Sequence, residues 1–226
     1  MKKVLFSIAA FVFGLFDNVG NLFDLLLQDD QRPETKTLAN RAEVDTSDFS
    51  KIAALGLPAI LQGINRNNQS DSGLDLFNDA LNKHQDVKNY QSMDQLTQNV
   101  DPQDGDKILG HVFNDKQSIV DRIAGTLNLS PAAVKRVLAL LAPIVLKYLA
   151  DRKNTNQLDK RGVERETGSL IEQMNSSVRN YGRNMPRQEN SGGIFGELFG
   201  NDDNKHGRPV DDKNDGILDS ILDLFR

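Results

Sequence analysis

Apolar residues recur along this chain at the three-to-four-residue spacing of amphipathic helices, and no window alternates as a half-buried strand does. The first stripe is Val4, Leu5, Ile8, Phe11, Val12, Leu15, Phe16, Val19, Leu22, Phe23 and Leu26, with Ser7, Ala10, Gly14, Asp17, Asn21 and Asp24 opposite. It predicts an N-terminal helix within 1–30 that buries one face. Lys2-Lys3 before an apolar run also suits a signal or a membrane-surface segment over 4–27. No small-x-small cleavage site follows, and the run falls short of the ~20 residues that cross a bilayer. Gln28 to Asp45 is polar, and Arg32-Pro33 is read as ending what precedes it.

Periodicity resumes at Phe49, Ile52, Ala53, Leu57, Ile60, Leu61 and Ile64, with Thr46 or Ser47 as the expected N-cap. Asn65 to Gly73 reads as a turn, and Leu74, Phe77 and Leu81 mark a helix to about His84. Asp86 to Asp106, rich in Gln, Asn and Asp, reads as an interdomain linker or as a weak helix plus loop. The densest block is 104–153, with stripes at Ile108, Leu109, Val112, Phe113 and at Ile119, Val120, Ile123, Ala124, Leu127. Leu129-Ser130-Pro131 is the clearest local signal. Ser130 can cap, and Pro131 suits the first helical position because its missing N–H has no helical acceptor there. The run from Ala132 to Ala150 is apolar almost all round and predicts the central core helix, with Pro143 removing the bond to the Ala139 carbonyl and kinking it.

Past Asp151, a mixed-charge stretch with one moderate stripe (Leu170, Ile171, Met174, Val178) predicts a weakly helical extension over 156–190. From Tyr181 onward the composition is that of a flexible tail, and 191–226 carries two short apolar patches. These are Ile194, Phe195, Leu198, Phe199 and Ile217, Leu218, Ile221, Leu222, spaced to share one helical face. A lone turn of helix does not hold itself together in water, so both patches are expected to dock on protein. The fold class expected is therefore all-α, a helical domain over 45–155 with an N-terminal helix and a tail.

Setting Pro58 on Pro143 aligns Phe49, Ile52, Leu55, Ile60, Leu61 and Ile64 with Val134, Val137, Leu140, Val145, Leu146 and Leu149, an offset of 85. An internal duplication over 46–85 and 104–153 is one reading, and the ease with which amphipathic helices align is the other.

Composition narrows the function. Cysteine is absent, which excludes disulfides, zinc ribbons and thiol nucleophiles. Lys and Arg total 27 against 32 Asp and Glu, a net charge of −5, which argues against a nucleic-acid binder. Only 38% of residues are hydrophobic and mean hydropathy is −0.48, consistent with part of the chain lying outside a packed core. His84, His111 and His206 form no HxH or HExxH spacing, so neither a metal nor a cofactor is expected. His84 and His111, each near carboxylates, are weak ligand-binding or hydrolytic candidates with Asp104 and Asp106. Asp211 to Leu222 mimics a calcium loop but places Lys213 and Leu222 where oxygen ligands belong.

The motifs Asp104-Gly-Asp-Lys-Ile-Leu-Gly-His111, Leu129-Ser130-Pro131 and Leu141-Ala-Pro-Ile-Val145, with the upstream LGLPAILQGINRN and GLDLFNDALNKH, resemble a bacterial family catalogued as domain of unknown function 937, the YidB-like group. The resemblance spans roughly 45–155, and Phe113-Asn114 stands where that family reads Phe-Gly. It implies an all-helical cytoplasmic bacterial protein with no catalytic residues to carry over. The expected function is a non-enzymatic scaffold or protein-interaction module, its partner a protein or a second copy. The alternatives are a membrane-peripheral or exported protein anchored by 4–27, and a small-ligand or hydrolytic site near His84 and His111.

Overall fold

The computed structural model describes Leu26 and residues 31–90 and 92–184, with backbone only for residues 87, 88, 175 and 177–184. Among these residues there are eight α-helices, one 3-10 helix and no strand, the all-α fold that the periodicity predicts. The helices are α1 (Pro33–Ala42), α2 (Thr46–Asn67), α3 (Asp71–Lys83), α4 (Met93–Asn99), α5 (Pro102–Val112), α6 (Lys116–Leu127), α7 (Pro131–Thr155) and α8 (Lys160–Asn184). A 3-10 turn, Gln85–Asn89, lies between α3 and α4.

The core is the crossing of α2 and α7, around which the other helices pack. Helix α7 is buried without interruption from Val137 to Asp151, as its nearly continuous apolar sequence requires. Ser130 caps it by accepting from the Ala133 N–H at 3.2 Å, and Pro131 is its first residue. Both α2 and α7 continue through an internal proline, Pro58 and Pro143. A proline has no N–H to offer the carbonyl four residues back, so Ala139 in α7 loses its helical partner. Gly105 of α5 lies against that carbonyl: a Cβ built on it would fall 1.7 Å from the Ala139 oxygen. The hydrogen standing in place of that Cβ points at the oxygen, the geometry of a weak Cα–H···O contact.

The chain before and through α2 corresponds to the chain before and through α7. Helices α1 and α6 each end in a left-handed residue, Glu43 at φ 55° and Asn128 at φ 53°. The next N–H closes the turn, from Val44 to the Ala39 carbonyl at 3.1 Å and from Leu129 to the Ala124 carbonyl at 3.0 Å. Each long helix then has its N-cap two residues beyond the left-handed one, at Asp45 and Ser130. The helices that follow, α3 and α8, both use an oxygen at the cap to accept the N–H of a glycine three residues on, Ser70 for Gly73 and Asp159 for Gly162. Packing is reciprocal as well. Helix α1 touches α7 as α6 touches α2, and α3 touches α7 as α8 touches α2.

Four local expectations are corrected. Arg32-Pro33 opens a helix instead of closing one, since Pro33 sits at the first position of α1. The expected cap at Thr46 or Ser47 falls one residue earlier, at Asp45, which makes no side-chain cap bond. The linker reading of 86–106 gives way to its alternative: α4 buries Met93, Leu96 and Thr97. Arg41 of α1 clamps the end of α4 by donating to the carbonyls of Thr97 and Val100, both at 2.5 Å. The weak helix of 156–190 is a full helix, α8, extending through Asn184 and burying Val163, Thr167, Leu170, Ile171 and Met174. The turn at Phe113-Asn114 needs no glycine, because Asn114, at the position of the family's glycine, does not have a positive φ.

Leu26 is fully buried; the rest of the N-terminal stripe and both tail patches lie outside the described residues. No single described helix is long and apolar enough to cross a membrane, although the bent pair α6 and α7 passes by length and composition.

Gly105 and Gly110 separate the packing constraint from helix propensity. Gly105→Ala should lower stability by about 2 kcal/mol or more, because backbone must move to admit the methyl group. Gly110 has nothing within 4 Å of its Cβ position, so Gly110→Ala should be neutral or stabilising by ~0.5–1 kcal/mol. Urea denaturation of both variants checks this, and equal midpoints would remove the assigned role of Gly105.

Candidate functional site

Helix α3 is laid down by Ser70, whose oxygen accepts the Gly73 N–H at 3.1 Å. Leu74 and Leu81 turn into the protein and Phe77 is half-buried, the stripe that the sequence predicts. Leu76 lies off that stripe, 73% exposed, the one large hydrophobic residue so exposed among those described. Between the end of α2, the outer side of α3 and α5 runs a groove of about 810 Å³. Its floor is apolar, from Ile64, Phe77, Ile108, Val112 and Leu146, and Leu76 stands on its rim. The polar lining includes Arg66, Lys83 and Lys107 against Asp79 and Asp104. Lys83 and Lys107 are exposed and have no ion-pair partner among the described residues. Asn68, 1% exposed, lies in the wall with both amide atoms unpartnered among the described residues.

His84 follows α3 at its C-terminal end and joins it to α5. Its Nδ1 lies 2.8 Å from the Ala80 carbonyl and its Nε2 lies 2.9 Å from Asp104 Oδ2. A carbonyl only accepts, so Nδ1 carries a proton; a carboxylate only accepts, so Nε2 is satisfied as a donor too. Both nitrogens are thus engaged. A base for nucleophilic catalysis needs one nitrogen turned to the carboxylate and the other to the nucleophile. Here the main chain occupies that second position, although Ser70 and Ser72 line the same groove. The pair works as a staple between helices.

The remaining candidates separate. His111 lines the groove with an exposed ring, and its carbonyl accepts from Asn67 Nδ2 at 2.8 Å, which ties the end of α2 to α5. Asp106 turns away from the groove and pairs with Lys116 at 2.8 Å and Lys135 at 3.4 Å, pinning α5 to α6 and α7. The hydrogen bond from Lys116 holds the Asp106 carboxyl below its usual range against an opposing desolvation penalty, with attraction to Lys116 and Lys135 acting in the same direction as the bond. Below the groove, Lys147 of α7 is nearly buried, pairs with Asp86 and lies 5.5 Å from the centre of the Tyr90 ring. Burial, followed by the negative charge of Asp86, pushes the Tyr90 hydroxyl up. No group of three or more metal-ligating side chains occurs among the described residues. His206 and the docking candidates Ile194, Phe195, Leu198, Phe199, Ile217, Leu218, Ile221 and Leu222 lie outside them.

Sequence reasoning missed Leu76, Lys83 and Lys107. A readable signal existed for Leu76, an apolar residue two positions from Leu74 and so on the opposite side of the helix.

The His84–Asp104 pair should show a coupling of about 1 kcal/mol in a double-mutant cycle with His84→Ala and Asp104→Ala. That is below the usual strength of a charged bond because Asp104 is 41% exposed. Coupling under ~0.3 kcal/mol would remove the staple. For Asp106, the depressed folded pKa means its contribution is complete above the unfolded carboxylate value near 3.9 and fades as pH falls below it. Asp106→Asn should therefore flatten the loss of stability between about pH 4 and 2, followed by circular dichroism.

A family model described as bacterial protein of unknown function (DUF937) matches residues 24–152, more than half of the chain. The match begins ahead of α1 and ends within α7. No curated protein and no solved structure matches the chain.

Proposed function

The chain belongs to the DUF937 family of bacterial proteins of unknown function, and we propose that within it this protein is a non-enzymatic interaction module that binds an acidic amphipathic helix in the groove between α2, α3 and α5. One observation carries the reading: an apolar floor whose rim bears an exposed Leu76 and two cations, Lys83 and Lys107, with no ion-pair partner among the described residues. An isolated exposed leucine needs no explanation, but one at the mouth of an apolar groove adds to a recognition surface. A helix with apolar residues on one side sets them into such a groove, and acids flanking them meet the lysines. The engagement of both His84 nitrogens supports the non-enzymatic side of the reading.

The test uses full-length protein and a fluorescein-labelled synthetic helix of twelve residues, Leu and Ile on one face and Asp on the other, followed by anisotropy. Leu76→Asp, or Lys83→Glu with Lys107→Glu, should weaken binding about tenfold or more, some 1.4 kcal/mol. A scrambled peptide of the same composition should bind no better than those variants allow. Equal binding of scrambled and ordered peptides, or indifference to all three substitutions, would sink the reading.

A further inference from the structure

We infer that the groove is occupied by the chain's own segment 215–226, DGILDSILDLFR, so that the protein carries the helix that blocks its binding surface. This rests on the reading of the groove as a helix-binding site. The segment has the required chemistry. Asp215, Asp219 and Asp223 are four residues apart and share one side of a helix. Ile217, Leu218, Ile221, Leu222 and Phe225 cluster beside them. A helix of this length does not hold in water unaided and needs a surface to form on. Its acids match Lys83 and Lys107, and they disfavour an anionic lipid surface as the alternative.

Reach selects this segment over the other patch. Helix α8 starts beside the groove end, where Arg161 pairs with Asp71 at 3.0 Å and Lys160 pairs with Asp75. It then packs on α2, and its 25 residues lead the chain about 37 Å away. From Asn184 to Asp215 there are 30 intervening residues (214 − 184), rich in Gly, Asn and Asp, whose root-mean-square span is about 30 Å. They can return comfortably. Ile194 is ten residues beyond Asn184, at most about 36 Å when fully stretched, so even a taut chain falls just short of the distance covered by α8. That patch also carries Gly196 and Gly200 and only one acid, Glu197, among its apolar positions. A tether of 30 residues sets a local concentration in the millimolar range, so weak intrinsic affinity suffices for occupancy.

The absence of cysteine makes the test clean, since any thiol pair introduced is unique. Leu76→Cys with Leu222→Cys in the full chain should form an intramolecular disulfide under mild oxidation. Its rate should exceed that of the tether control, Leu76→Cys with Arg208→Cys, about tenfold. Lys83→Glu with Lys107→Glu should slow the selective reaction, and adding Asp219→Lys with Asp223→Lys should restore it. Replacing Ile217, Leu218, Ile221 and Leu222 by Ser should also tighten binding of the synthetic helix, because the competitor is removed. Equal rates for the two thiol pairs overturn the proposal. A disulfide-linked dimer formed in preference overturns it too, by placing the segment on a second copy. Selectivity absent while the synthetic helix still binds rejects the segment alone; both absent reject the groove as well.

Discussion

The approach of α5 to α7 at Gly105 is the constraint on which the arrangement of the site depends. Pro143 withdraws a hydrogen-bond donor from the Ala139 carbonyl, and only a residue without Cβ lets another helix come close enough to cover it. With α5 seated there, Asp104 is carried to His84, the His111 carbonyl to Asn67, and Asp106 to Lys116 and Lys135. The groove is the space left between α3 and α5 once those ties are made. The sequence Asp104-Gly105-Asp106 thus holds three adjacent residues with three directions: one toward α3, one into α7 and one toward α6.

These ties are polar, yet they act on a frame fixed by apolar burial. Helix α7 has hardly any face turned to water along its middle, so it can pack on partners in several directions at once. Two charged residues, Lys147 and Asp151, lie in that buried stretch, and the ammonium of Lys147 is met by Asp86 with the Tyr90 ring nearby. A buried charge without such company would cost several kcal/mol. The 3-10 turn between α3 and α4 is therefore held to the core by charge where its sequence offers little apolar surface.

How much was legible depended on whether the signal was local. The start of α7 was readable from Ser130-Pro131, because a cap and a first-position proline act within four residues. Helix α1 was missed because its buried face is Thr35, Leu38, Ala39 and Ala42, with a single large apolar side chain. Helix α4 has seven residues, too few for a period to declare itself, and Arg41, which secures it, is far away in sequence. At the site, the four candidates were named from their types and neighbours, and the fold then left His84, Asp104 and His111 at the groove and turned Asp106 to ion pairs on another side of α5. Lys83 and Lys107 were invisible because an unpaired lysine in sequence resembles every other surface lysine. Their meaning lies in what they stand beside.

The reciprocal packing of the two halves has a consequence for how the molecule gains and loses its structure. Helix α3 follows α2 but rests on α7, and α8 follows α7 but rests on α2. Each long helix is covered partly by its own neighbour, α1 on α2 and α6 on α7, and partly by helices from the other half, so neither half presents a closed core by itself. The stabilising contacts join residues far apart in sequence, which raises contact order and slows folding relative to a bundle of consecutive hairpins. Such an exchange of terminal helices also merges what could have been two independent units into a single cooperative one, in which opening one half strips the cover from the other.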